Sequence, residues 1–278
     1  MREKAGTELV NEVAVLSWWG KLIGGTFGFM LGGPIGAMLG AALGHNFDQG
    51  LGSFTTNSQY GAGPDVDVER LQSIFFTTTF SVMGYLAKAD GQVSPEEIRL
   101  AESVMQQMRL NPQQKKVAVK LFNEGKSANF PFQQVLLQFR QECHRRRHLL
   151  QMFMEILTAT ALADGSLHPS ESALLQSIAG SLGFSRAEFA AILQRQKAGQ
   201  HMHQQGPDSA TALNDAYKLL GVPKTATAQE VKLAYRRLMN QHHPDKLVAK
   251  GLPEEMMALA NQKTMDIKAA YELIKGSR

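Results

Sequence analysis

The chain of 278 residues holds a single cysteine, Cys143, which excludes a disulfide framework and any multi-thiolate metal site within one chain. Tryptophan is nearly as scarce: Trp18 and Trp19 are the only two, and they are neighbours. Charged residues make up 19%, below the roughly 25% of typical globular chains. Neither sign dominates, since 29 Lys and Arg against 25 Asp and Glu leave a formal net charge of +4. That balance excludes a strongly basic nucleic-acid tail and an acidic solvating one. Sustained period-two alternation is missing as well, so the sequence predicts an all-α protein.

What the chain has in excess is glycine, and in one place. Thirteen of its 25 glycines lie between Gly20 and Gly63. Residues 22–43 (LIGGTFGFMLGGPIGAMLGAAL) run for 22 positions without a charge. At about 1.5 Å per residue, a helix of that length crosses the roughly 30 Å hydrocarbon core of a bilayer. Trp18, Trp19 and Lys21 precede it as interface anchors. The alternatives are a buried glycine-rich hairpin and a cleaved signal peptide, whose apolar core normally runs about 7–15 residues. Gly24, Gly28, Gly32, Gly36 and Gly40 recur every fourth residue and form a small-residue face along which a second helix can approach closely. Residues 18–44 are therefore expected to be a single transmembrane helix with a self-association face, preceded by an extension over 1–17.

Residues 45–68 and 198–210 read as linkers from their Gly, Ser, Asn and Gln content. Between them, 69–197 shows helical spacing throughout, as in Leu71, Ile74, Phe75, Thr78 and Val82. This region carries a weak internal repeat: AKADGQVSPEE (87–97) aligns with ALADGSLHPSE (161–171). Asp90, Glu97, Asp164 and Glu171 recur in it. The plainer reading gives Asp-Gly a turn and Glu a helix N-terminus. The other places a shared divalent cation between the two loops, although each supplies too few oxygens for an EF-hand. The paired loops between apolar helices resemble the TerB (tellurite-resistance-type) helical domain, and that resemblance implies the cation association. Cys143, His144 and His148 lie in QECHRRRHLL, which reads as a structural thiol beside a solvated basic helix face. Arg145, Arg146 and Arg147 are candidates for anionic lipid or a partner, not for nucleic acid, because no aromatics interleave with them. His201 and His203 in the second linker are a weak candidate for a metal contact.

The last segment, 211–278, carries the sharpest pattern. ALNDAYKLL (212–220) ends at Gly221, and Thr227 with Glu230 has the spacing of a capping box. Val231, Tyr235 and Leu238 form the apolar stripe of the next helix, which Pro244 terminates. A third helix is expected from about Pro253 to Lys275, with Met257, Ala260, Met265, Ile267, Ala270, Tyr271 and Ile274 supplying apolar surface. AYKLLGV (216–222), VKLAYRRL (231–238), HPDK (243–246) and IKAAYELI (267–274), in that order, resemble the J domain of DnaJ-type co-chaperones. The run HHPDKLVAKGLPEEMM, with a longer and more apolar insertion at 247–253, is similar to the membrane-anchored DnaJ-like family of Gram-negative bacteria. That family also joins a glycine-rich span to a TerB-like middle.

The resemblance implies a co-chaperone that stimulates the ATPase of a DnaK-type chaperone and recruits it to clients at the inner membrane. In it Asp245 accepts from a partner arginine, Pro244 fixes the turn, His243 meets the partner, and Lys232, Arg236 and Arg237 face an acidic patch. The charge distribution agrees: 211–278 holds eleven basic against seven acidic residues, and 1–210 holds eighteen of each. His243 and Asp245 lack a nucleophile or oxyanion donor, so no enzyme is expected. The alternative function is an envelope stress or divalent-cation sensor acting through the middle domain; no other cofactor is expected. Arg2, Lys4 and Lys21 would place the N-terminus in the cytoplasm. The cytoplasmic partner and its ATP argue the opposite, with 1–17 periplasmic and the J domain cytoplasmic.

Overall fold

The computed structural model describes residues 33–44, 64–89, 102, 104–106, 108, 110–162, 165–205 and 211–278, and the described residues are helical without a strand. In chain order the helices are α1 (Gly33–Gly44), α2 (Pro64–Ala87), α3 (Pro112–Gly125), α4 (Phe132–Glu142), α5 (Arg147–Ala161), α6 (Pro169–Ser181) and α7 (Arg186–Gln205). They continue with α8 (Ala212–Leu220), α9 (Ala228–His242), α10 (Pro244–Val248), a 3-10 turn (Glu254–Met256) and α11 (Met257–Gly276).

Helix α2 is the axis of the middle domain. Its apolar residues Leu71, Ile74, Phe75, Phe76, Phe80, Val82, Met83 and Leu86 are all buried. Phe75 meets Phe139 of α4 and Phe153 of α5 edge-on, with ring centroids 5.9 and 6.2 Å apart. Helix α3 lies along α2 at backbone contact. A Cβ at Gly84 would sit 1.9 Å from the Phe122 carbonyl oxygen, and one at Gly125 would sit 1.8 Å from that of Ser81. Only hydrogen side chains allow this approach.

Two linker boundaries move. Helix α2 starts at Pro64, inside the stretch read as linker to residue 68. Proline suits the first helical position, and Asp67 and Glu69 suit the positive end of the helix. Helix α7 runs through Ala198–Gln205, the residues read as the second linker. Tertiary packing overrides their polar composition. Ala198 is buried, Met202 joins the C-terminal core, and His201 and His203 sit 3.7 and 3.0 Å from Asp215 and Asp266.

The C-terminal bundle closes over Ala216, Leu220, Val231, Leu238, Ile267, Ala270 and Ile274, with Tyr235 stacked on Tyr271 at 4.3 Å. Gly221 caps α8 at φ 69°, and the Thr227 and Glu230 side chains cap α9 reciprocally. Met265, part of the apolar surface of α11, is 63% exposed. The insertion behaves differently from the rest of this bundle. Leu247, Leu252, Met256 and Ala260 leave it and enter the core of the middle domain.

Of the glycine-rich span, the structure describes α1 alone. Ile35, Met38, Leu39 and Ala42 are buried against the middle domain, and the Ile35 N–H donates to Gln138 Oε1 at 3.1 Å. No helix among the described residues is long and apolar enough to cross a membrane. Gly24, Gly28 and Gly32 lie outside them. Gly36 is buried, whereas a Cβ on Gly40 would meet nothing within 4 Å.

The α2–α3 contact sets a clear expectation for stability. Gly84→Ala should destabilise the fold by about 1–3 kcal/mol, because the backbone must part to admit a methyl group. Gly180→Ala, on an open face of α6, should be neutral or slightly stabilising. Urea denaturation followed by far-UV circular dichroism distinguishes the two; equal midpoints would refute the close-approach account.

Candidate functional site

Helix α9 must end where it does. His243 precedes a proline, whose ring disfavours helical backbone in the residue before it, and His243 has φ −61° and ψ 120°. Pro244 then takes the first position of α10, where its missing N–H costs nothing. The chain therefore bends sharply between two helices. His243, Asp245 and Lys246 are exposed at the bend, and Pro244 is half-buried. The Lys246 ammonium reaches back to Asn240 Oδ1.

The outer face of α9 adjoins this bend. Lys232, Arg236 and Arg237 are exposed and separated by helical spacing that puts them on one side. Leu233, 59% exposed, sits among them. Leu233 belongs to neither the apolar stripe nor the basic set that the sequence pattern singles out. Its offset from the Val231, Tyr235 and Leu238 stripe was the available signal.

Both flanks of the motif are fastened to the middle domain. On the N-terminal side, His242 is buried against Glu155 of α5. Its Nε2 lies 3.0 and 2.9 Å from the two carboxylate oxygens, and its Nδ1 lies 2.9 Å from the Leu238 carbonyl oxygen. With Glu155 ionised, the carboxylate and the Leu238 carbonyl are both acceptors, an arrangement that favours the imidazolium form of the ring. Burial alone would lower the His242 pKa, but the Glu155 charge and hydrogen bond outweigh it and raise the value. Burial alone would raise the Glu155 pKa; His242 outweighs it and holds the carboxyl below the usual range, helped by Lys263 and by a 2.9 Å bond from Gln151 Nε2. The pair therefore contributes fully between the ordinary carboxylate and histidine values. It weakens as pH rises through the raised His242 value or falls through the lowered Glu155 value.

On the C-terminal side, the insertion supplies apolar and polar fastenings. Leu247 and Leu252 are buried in the middle domain's core. Gln72 Nε2 donates to the Leu252 carbonyl oxygen at 3.3 Å, and Gln114 Nε2 donates to Glu255 Oε1 at 2.7 Å. Gly251, at φ 104°, brings the backbone so near α2 that a Cβ would fall 2.8 Å from that of Leu71.

The other expected residues fare differently. Asp90, Glu97 and Asp164 lie outside the described residues. Glu171 Oε2 accepts the His168 N–H at 3.1 Å, which caps α6, and Gly165 makes the turn before it at φ 89°. No cluster of three or more His, Cys, Asp or Glu suited to a metal occurs among the described residues. Cys143 is fully buried, and burial pushes its thiol up to about 12, which suits a structural thiol. Arg147 is engaged internally: it lies 4.2 Å over Phe184, donates to the Gly183 carbonyl oxygen and pairs with Glu188 at 2.6 Å.

Three protein-family profiles match the chain. One is described as the co-chaperone DjlA transmembrane domain (residues 16–54), one as tellurite resistance protein TerB (77–194) and one as the DnaJ domain (215–277). The co-chaperone protein DjlA of Shewanella oneidensis is 47% identical over 95% of this chain and 99% of its own length. That of Vibrio cholerae is 47% identical over 92% of this chain and 96% of its own, and that of Coxiella burnetii 46% over 95% and 99%. No solved structure matches the chain.

Proposed function

Because the chain belongs to the DjlA family of membrane-anchored J-protein co-chaperones, we propose that His243, Pro244 and Asp245, with Lys232, Arg236 and Arg237, form its contact with a DnaK-type ATPase. The protein is a regulator rather than a catalyst, and its J domain stimulates ATP hydrolysis by that chaperone. The observation that supports these particular residues is their joint exposure beside one another while both flanks of the motif are buried. Asp245 is free to take a charge-assisted hydrogen bond from a partner arginine. The basic face of α9 steers an acidic partner and orients it, contributing more to association rate than to affinity.

The finer membrane arrangement is part of the same proposal. The J domain faces the cytoplasm, where ATP and DnaK-type partners are found, and residues 1–17 face the periplasm of an inner-membrane protein. Gly24, Gly28 and Gly32 form the face through which two transmembrane helices meet, whereas Gly36 and Gly40 belong to α1, which packs on the middle domain. Their four-residue period supports this, since absent side chains permit backbone contact in lipid. A divalent cation in the TerB-like loops would draw on Asp90, Glu97, Asp164 and Glu171, the last of which also caps α6 through Oε2.

Three measurements test these points. In single-turnover ATP hydrolysis by a DnaK-type chaperone, His243→Gln should abolish stimulation. Asp245→Asn should weaken it by about tenfold or more, as expected for a lost buried charge contact. Wild-type stimulation by His243→Gln would remove the assignment. A reporter fused to the C-terminus should be active only in the cytoplasm; a periplasmic signal would invert the topology. Energy transfer between labelled copies in vesicles should fall on combined Gly28→Ile and Gly32→Ile, and an unchanged signal would eliminate the glycine face.

A further inference from the structure

A J domain joined to its neighbour by a linker would present its motif independently of that neighbour. Here the two domains share buried structure on either side of the motif. His242, the residue before His243, is held by Glu155, and Leu247, the residue after Lys246, begins the insertion that enters the middle domain's core. Between these two fastenings lie residues 243–246, of which His243, Asp245 and Lys246 are exposed and Pro244 is half-buried.

We propose that the middle domain is a working part of the chaperone-stimulating site, with Glu155 acting as a positioning residue that fixes the His-Pro-Asp loop through His242. The inference rests on the co-chaperone reading and goes beyond it, because it assigns a role to a residue outside the J domain. Glu155 touches no partner. It holds the end of α9, through a residue whose backbone is covalently joined to the motif, at an angle set by α5.

The surroundings of the pair bear on how it responds to pH. From α5, Gln151 donates to Glu155, and His148 lies near enough for its own pKa to be lowered, first by burial and then by Lys250 and His242. From α7, Gln196 donates to the Glu155 carbonyl oxygen at 2.6 Å, and Arg195 faces both Glu155 and Arg237. From α11, Lys263 reaches Gln196 and faces Glu155 and Asp266; burial lowers its pKa despite the two carboxylates. Of these groups, His242 alone contacts the carboxylate from within the motif-bearing helix.

The test uses full-length protein in detergent and titrates it into single-turnover ATP hydrolysis by a DnaK-type chaperone. The half-maximal concentration and the maximal rate are read separately. Glu155→Ala should raise the half-maximal concentration about tenfold and change the maximal rate less than twofold, because a loop no longer pre-organised must be ordered at binding. Glu155→Gln, which can still accept from the ring, should fall between Glu155→Ala and wild type. Combining Glu155→Ala with His242→Gln should be no worse than the more severe single change. Far-UV circular dichroism reports whether each variant folds. Where none does, the wild type alone decides: its half-maximal concentration should rise with pH once His242 loses its proton, and a profile that stays flat overturns the proposal. So does a folded Glu155→Ala variant with wild-type half-maximal concentration, or one that loses maximal rate alone. His243→Gln runs alongside as the control: if it also stimulates normally, the co-chaperone reading itself has failed, whereas its inactivity beside a normal Glu155→Ala confines the failure to the positioning role.

Discussion

The ion pair between His242 and Glu155 is the contact on which the arrangement of the two domains depends. Each side chain is only 5% exposed, and removing a charge from water costs several kcal/mol unless a partner and hydrogen bonds compensate. Compensation here needs elements from across the fold: the Leu238 carbonyl on α9, Gln151 on α5, and Lys263 on α11 bonded to Gln196 on α7. Undocking the J domain would leave a carboxylate and an imidazolium without each other at newly opened surfaces. The apolar insertion acts in the same direction, since Leu247, Leu252 and Met256 would lose their only buried environment. Electrostatics fixes the register of the docking, and burial of the insertion supplies much of its driving force.

A second constraint works locally. Proline at 244 requires a break after His242, and the break must fall where α9 meets the middle domain. The same residue pair therefore ends a helix, begins another and separates a buried histidine from an exposed one. His242 and His243 are neighbours with opposite fates, and the change of backbone direction at His243 is the reason. A regular helix through this point would place consecutive side chains about 100° apart and leave both histidines at the edge of one interface.

Much of this was legible in the sequence, and the remainder was hidden for definite reasons. The capping box at Thr227 and Glu230, the left-handed Gly221 and the break at Pro244 are local signals, each decided within a few residues. The order of the J-type motifs was legible for the same reason. The partner of His242 was not, because Glu155 lies 87 residues away and nothing in either segment's pattern points to the other. The insertion at 247–253 stood out as unusually apolar, but composition cannot say which core receives it. Helix α7 defeated the composition argument outright: AGQHMHQQ reads as linker, yet Ala198 and Met202 bury themselves against the C-terminal core. Tertiary contacts decided what propensity could not.

The two halves of the proposed contact divide the physics of binding between them. In the proposed contact, the face bearing Lys232, Arg236 and Arg237 works at a distance, within a Debye length of about 8 Å at physiological salt, and so bears on encounter. The clamped loop acts only at contact, where the entropy of ordering a flexible segment would otherwise be charged against the complex. That division accounts for an excess positive charge confined to residues 211–278 beside a buried ion pair just behind the motif. The former must remain hydrated to be felt by a partner; the latter must be dry to hold a loop still. A helix that carries one on its outer face and the other at its C-terminal end can supply both only if a second domain closes over that end, which is what α5 does.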